Sequence, residues 1–191
     1  MVFSLADCDR ARMPTASEGY IELVAIPETY QTPHGLSTGL RTELSEQSRL
    51  VLGTVNPDAS PHLTLVLFSM DRDDCLFVPT PQSTRKIKNV RERSSVTALI
   101  PVRSGWVSCY GEAAVIEGQE AERINQGVRE RLLTDTGMAT MGQFLAAHED
   151  MTIKVTPTRW LSWSHDVIGP WMDANNIDAS NSDDWWKDLS T

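Results

Sequence analysis

The stretch from Arg49 to Glu117 constrains the fold more than any other part of the chain, because it is built of short strand-like segments joined by turn residues. Arg49 to Val55 is a β-rich run that stops at Asn56-Pro57-Asp58, a strong turn signal. Pro61 to Phe68 alternates, with Leu63, Leu65 and Leu67 on one face and His62, Thr64, Val66 and Phe68 on the other. Asp71 to Asp74 reads as a charged hairpin loop. Cys75 to Val78 reads as a short apolar strand stopped by Pro79 and Pro81. Val96–Ile100 and Gly105–Glu117 follow as strands, and Thr152–Trp163 is a last strand interrupted by Pro157. A parallel α/β sheet would need a helix between successive strands, and this chain lacks that alternation. The pattern predicts a closed or partly closed antiparallel barrel, mainly β with peripheral helices. The helices are expected from Ser37, a good N-cap, to Gln47 with Leu40 and Leu44 on one face, and at Ser83–Arg93, Glu120–Thr134 and Met138–His148.

At 191 residues the chain is long enough for one domain with a core that needs no metal or disulfide. Residues 1–36, broken by Pro14, Gly19, Pro27, Pro33 and Gly35, read as an arm lying on the body or on a partner. Residues 37–168 form the expected domain, and 169–191 an acidic tail carrying Trp171, Trp185 and Trp186. A formal net charge of −9 opposes binding to nucleic acid or to an anionic membrane. No apolar run approaches the roughly 20 residues that span a bilayer. Met1 to Cys8 is too short and too poor in basic residues for a signal peptide, so a soluble cytoplasmic protein is expected. Cys8, Cys75 and Cys109 have no CxxC spacing, and His34, His62, His148 and His165 have no HExxH spacing, so no metal site is expected. Ser104-Gly105 and Ser108 lack a nucleophile-elbow context. Tyr110 is expected to be a packed barrel tyrosine, and Met138, Met141, Phe144 and Leu145 to be core or interface.

Within this acidic chain one segment is basic. Ser83 to Arg93 holds Arg85, Lys86, Lys88, Arg91 and Arg93 against the single acid Glu92. Ile87 and Val90 are spaced to face a core, and Ser83 is placed to cap the helix. Cations in a first turn oppose the helix dipole, so stability alone would favour acids there. A solvated basic face is the plain reading of such a run. The position straight after a strand and the Pro79-Thr80-Pro81 loop favours a phosphate site instead, where free N–H groups of the first turn and basic side chains converge.

The order of these pieces resembles the pyridoxamine 5′-phosphate oxidase-like family of flavin-binding split barrels. Leu52 to His62 looks like that family's opening hairpin, followed by the strand Leu63–Phe68 and by Phe77-Val78-Pro79-Thr80. Thr84-Arg85-Lys86-Ile87-Lys88-Asn89 is similar to its Ser-Arg-Lys phosphate motif, and Trp106 to Ala113 to its long strand with a central glycine. The resemblance covers roughly residues 37 to 165. It implies a six-stranded antiparallel Greek-key split barrel that dimerises, with FMN at the interface between the two subunits.

Carried over by position, the resemblance implies that Arg85 and Lys86, helped by Thr84, hold the cofactor phosphate. The backbone of Thr64, Leu65, Val66 and Leu67 would border the ring and ribityl chain, and Val78, Pro79 and Thr80 would flank ribityl and phosphate. Trp106 would reach the flavin from the other subunit, and Trp163 would close the ring site. The basic residues that the family's oxidases carry where Thr64 and Ser69 stand are missing, and so is their C-terminal Arg-x-His motif. The resemblance therefore implies a divergent FMN-dependent oxidoreductase acting on a small substrate by hydride transfer, not a pyridoxamine phosphate oxidase. The alternatives on the same fold are an F420 (deazaflavin) reductase and a non-catalytic flavin- or haem-binding protein. No catalytic residue is assigned, since the flavin carries the redox chemistry itself.

Overall fold

Alternation of apolar residues makes the strands, and their register curls them into a half-barrel. The structure is a computed structural model that describes residues 30–32, 36–103, 105–146, 150–164 and 168–177. The strands are β1 (Tyr30–Thr32), β2 (Arg49–Val55), β3 (Pro61–Leu67), β4 (Ser69–Met70), β5 (Leu76–Pro81), β6 (Ser95–Val102), β7 (Gly105–Ile116) and β8 (Asp150–Ser164). The helices are α1 (Thr38–Ser45), α2 (Arg85–Glu92), α3 (Gly118–Leu132), α4 (Asp135–Ala146) and α5 (Ile168–Ala174). All recorded pairings are antiparallel, in the order β3-β2-β6-β7-β8-β5-β4, with β1 added on β8. The long strand β8 is the hub: its first half lies between β5 and β7, and its second half between β1 and β7.

The sheet has eight strands among the described residues, where six were expected. The additions are β1, from the segment read as an arm, and β4, and both are too short to show alternation. Two prolines also behave differently from expectation. Pro79 does not end β5, which goes on pairing with β8 as far as its last residue, Pro81. Beyond Phe77 the other side of β5 has no strand among the described residues, so a missing proline N–H can face an unpaired edge. Nor does Pro157 interrupt β8. A bulge at Thr158 absorbs it, where Tyr110 pairs with Arg159 and Gly111 with Pro157, and the Thr158 hydroxyl donates to the Tyr110 carbonyl at 3.1 Å. Gly111 is needed there, since a Cβ would stand 2.5 Å from the Thr156 carbonyl oxygen.

Inward residues of each strand make one core: Leu50 and Leu52, Leu76 and Val78, Ala98 and Ile100, Val107 and Cys109, Ile153 and Val155. Helix α2 adds Ile87 and Val90, as their spacing predicts. Ser37 caps α1 by accepting from the Leu40 N–H at 3.3 Å, and Leu44 is buried, again as expected. Burial pushes the Cys109 thiol up to about 12. Tyr110 is not packed inside the barrel: it is 37% exposed on the outer face, with the Arg159 guanidinium 4.4 Å from its ring centre. Helix α5 belongs to a separate unit, in which the Asn175 side chain donates to the Trp171 carbonyl at 2.7 Å. Most of the expected arm, His34, His148, His165, Trp185 and Trp186 lie outside the described residues.

Candidate functional site

A cleft of about 230 Å3 opens where β3, β5, the first turn of α2, helices α3 and α4 and the start of β8 meet. Its walls are mostly apolar, from Leu65, Val66, Leu67, Pro79, Pro81, Val128, Leu133 and Met141. Its polar lining comes from Thr80, Lys86, Arg129 and Asp150.

Helix α2 sets the position of Lys86. Ile87 and Val90 anchor the helix in the core, and buried Asn89 fastens it to β2 by donating to Thr54 Oγ1 at 3.0 Å and to Asn56 Oδ1 at 3.1 Å. Lys86 follows these residues inward and is only 9% exposed. Its ammonium makes no ion pair or hydrogen bond among the described residues, and burial lowers its pKa. An unpaired buried cation is costly, so this position favours an anion.

The helix begins one residue later than expected. Thr84, not Ser83, is the N-cap, and its side chain makes no capping bond to the helix. The Thr84 hydroxyl instead shares a 3.3 Å hydrogen bond with the Thr80 hydroxyl. The first N–H groups of α2 therefore have no cap from the Thr84 side chain, and Lys86 lies in that same turn.

Opposite, α3 is fastened to β8 by a buried polar network. Asn125 donates to Asp150 Oδ2 at 2.8 Å and to the Met151 carbonyl at 3.1 Å, and accepts from the Thr152 hydroxyl at 2.6 Å. One turn on, Arg129 Nη1 donates to the same Asp150 Oδ2 at 2.8 Å.

Of the residues expected to bind the cofactor, Leu65, Val66, Leu67, Pro79, Thr80 and Lys86 line this one cleft. Thr64 is adjacent on β3, and its Oγ1 is buried with no hydrogen-bond partner. Val78 is a fully buried core residue. Arg85 is exposed and does not line the cleft; it lies near Asp58, whose carboxyl is held below the usual range chiefly by the Ser60 hydroxyl and backbone, with a small contribution from Arg85. Trp106 and Trp163 pair directly across β7 and β8 and do not line the cleft of their own chain. His62, half-buried on β3, does not line it either.

Sequence reasoning missed Val128, Arg129, Leu133, Met141 and Asp150 as cleft residues. Only the i, i+4 spacing of Asn125 and Arg129 marks the polar side of α3. A second, more open cleft of about 400 Å3 on another side of α3 mixes Asp71 and Glu120 with Arg123 and Lys154 and holds none of the expected residues. Among the described residues no cluster of His, Cys, Asp or Glu could hold a metal, and no helix is long and apolar enough to cross a membrane.

The fold and cleft define an antiparallel half-barrel protein whose cleft carries two cations and one carboxylate. The model of the pyridoxamine 5′-phosphate oxidase family matches residues 36–164, and the chain belongs to that family as a divergent member. A solved structure of the conserved hypothetical protein Rv2991 from Mycobacterium tuberculosis is similar with a TM-score of 0.58 at 23% identity, covering 72% of this chain and 91% of its own. A structure described as an F420 reductase gives 0.52 at 17% identity, covering 65% of this chain and 98% of its own. The protein Atu2129 from Agrobacterium tumefaciens gives 0.52 at 13% identity, covering 70% of this chain and 61% of its own. These likenesses show the fold. No curated protein sequence matches the chain.

Proposed function

We propose that the protein binds FMN in this cleft and is an oxidoreductase that exchanges a hydride with a small substrate. The observation that carries the reading is Lys86, a buried lysine without a carboxylate partner at the uncapped start of a helix, lining an otherwise apolar cleft.

In this reading Lys86 and the first N–H groups of α2 hold the phosphate, with the Thr80 and Thr84 hydroxyls as donors beside it. Leu65, Leu67 and Met141 keep water from the rest of the ligand. Bound flavin supplies the redox chemistry, so the chain needs no acid or base of its own. Arg85 takes no direct part.

We further propose a homodimer. Leu63 and Leu65, 67% and 64% exposed, share the outer sheet face with Leu99 and Tyr110 through the register Leu65–Val51–Leu99 and Leu63–Gly53–Thr97–Tyr110. An exposed apolar patch of this kind favours an interface. Leu65 belongs to both the patch and the cleft. The cleft of one chain is smaller than the roughly 300–1,000 Å3 usual for ligand pockets. A second copy seated on the patch would complete it and could bring Trp106 and Trp163 to it.

The test is the visible spectrum of the purified protein, followed by titration of the apo-protein with FMN, riboflavin and F420. FMN should bind, and far more tightly than riboflavin. Binding of F420 alone would change the cofactor, and binding of none would overturn the reading.

A further inference from the structure

The cleft has a second cation that the family motif does not contain. Arg129 lines it from α3, and its side chain is 13% exposed. Its only partner among the described residues is Asp150 Oδ2, engaged through Nη1. A guanidinium carries five N–H donors in a planar fork, so most of its capacity is left over. Asp150, for its part, already accepts from Asn125 on that same oxygen. The attachment of α3 to β8 is thus supplied by Asn125, whose amide nitrogen and oxygen are both satisfied.

The pair also stands at the right place. Asp150 pairs in register with Pro81, the last residue of β5. Pro81 opens the turn to Thr84, whose N–H donates back to the Pro81 carbonyl at 3.1 Å, and Lys86 follows in the first turn of α2. Arg129 is therefore anchored beside the turn that presents Lys86, and both line the same cleft.

We propose that Arg129 is a second phosphate-binding residue of this cleft, contacting the same anionic group as Lys86, and that Asp150 is the positioning residue that holds its guanidinium there. This rests on the FMN reading above. Asp150 uses one oxygen to orient Nη1, and the rest of the fork is left for phosphate oxygens. Lys86 and Arg129 together outweigh the one carboxylate, so the lining carries a net positive charge.

The experiment compares wild type, Lys86→Met, Arg129→Gln, Arg129→Lys and Asp150→Asn, each as apo-protein titrated with FMN and with riboflavin, with the melting temperature of each recorded. Arg129→Gln should weaken FMN by about tenfold or more and leave riboflavin within about twofold. Asp150→Asn should produce a smaller loss of the same selectivity, and Arg129→Lys should restore part of it. Should Arg129→Gln not fold, Arg129→Lys decides, because it keeps the charge but not the fork: FMN falls and riboflavin holds. Unchanged FMN affinity in the Arg129 variants, or equal loss of both ligands, would mean a purely structural ion pair and overturn the inference. Failure of wild type to bind FMN, or indifference of FMN to Lys86→Met, overturns the underlying reading instead, so the two failures are separable.

Discussion

Replacing Lys86 by methionine should move ligand affinity and protein stability in opposite directions. In the apo-protein Lys86 is 9% exposed, its ammonium has no partner among the described residues, and burial lowers its pKa. Methionine fills similar space without the desolvation cost, so the apo variant should melt at or above the wild-type temperature. With FMN bound, the same ammonium makes a charge-assisted hydrogen bond to phosphate, a contact that contributes about 1.5–3 kcal/mol. Its loss should weaken FMN binding by about 10- to 150-fold. Riboflavin has no phosphate and should bind the variant as it binds wild type. The assay is fluorescence titration of both apo-proteins with both ligands, together with thermal melts. Unchanged FMN affinity would refute the placement of the phosphate. Parallel loss of FMN and riboflavin with a lowered melting temperature would show that Lys86 acts through folding. The exposed neighbour Arg85 provides the contrast: Arg85→Ala should reduce FMN affinity much less than Lys86→Met.

Three further outcomes are expected. Because burial lowers the Lys86 pKa and a bound anion favours the charged form, Lys86 should take up a proton on FMN binding at pH values between its pKa in the apo-protein and its higher pKa in the complex, and affinity should fall as pH rises through that window; calorimetry in buffers of different ionisation heat measures the uptake, and none, or release, would contradict it. Leu63→Glu places a charge on a side chain that is 67% exposed, so the chain should stay folded while light scattering shows the dimer giving way to monomer; an unchanged dimer would move the interface off this sheet face. Gly111→Ala should destabilise by about 1–3 kcal/mol in urea, since its Cβ would sit 2.5 Å from the Thr156 carbonyl oxygen and 2.9 Å from Val155 Cγ1; unchanged stability would mean that the bulge relaxes freely.

The antiparallel class, most of the strands and the inward face of α2 are legible in the sequence. Those features follow from local periodicity: alternation in Pro61–Phe68, the Asn56-Pro57-Asp58 turn, and Ile87 with Val90 three apart. The resemblance to the family also groups Leu65, Val66, Leu67, Pro79, Thr80 and Lys86, and these residues line one cleft. Tertiary structure sets how far β5 runs, because whether Pro79 ends a strand depends on which edge has a partner. It alone brought Arg129, Met141 and Asp150 to the cleft, since no local pattern links α3, α4 and the start of β8 to α2. It also separates Arg85 from Lys86, two neighbours that the sequence places together. Ser83 and Thr84 are both good caps, yet each residue of delay in starting a helix turns its side chains by about 100° relative to the chain that enters it. The packing of Ile87, Asn89 and Val90 fixed that rotation, turning Lys86 into the cleft and Arg85 out to solvent.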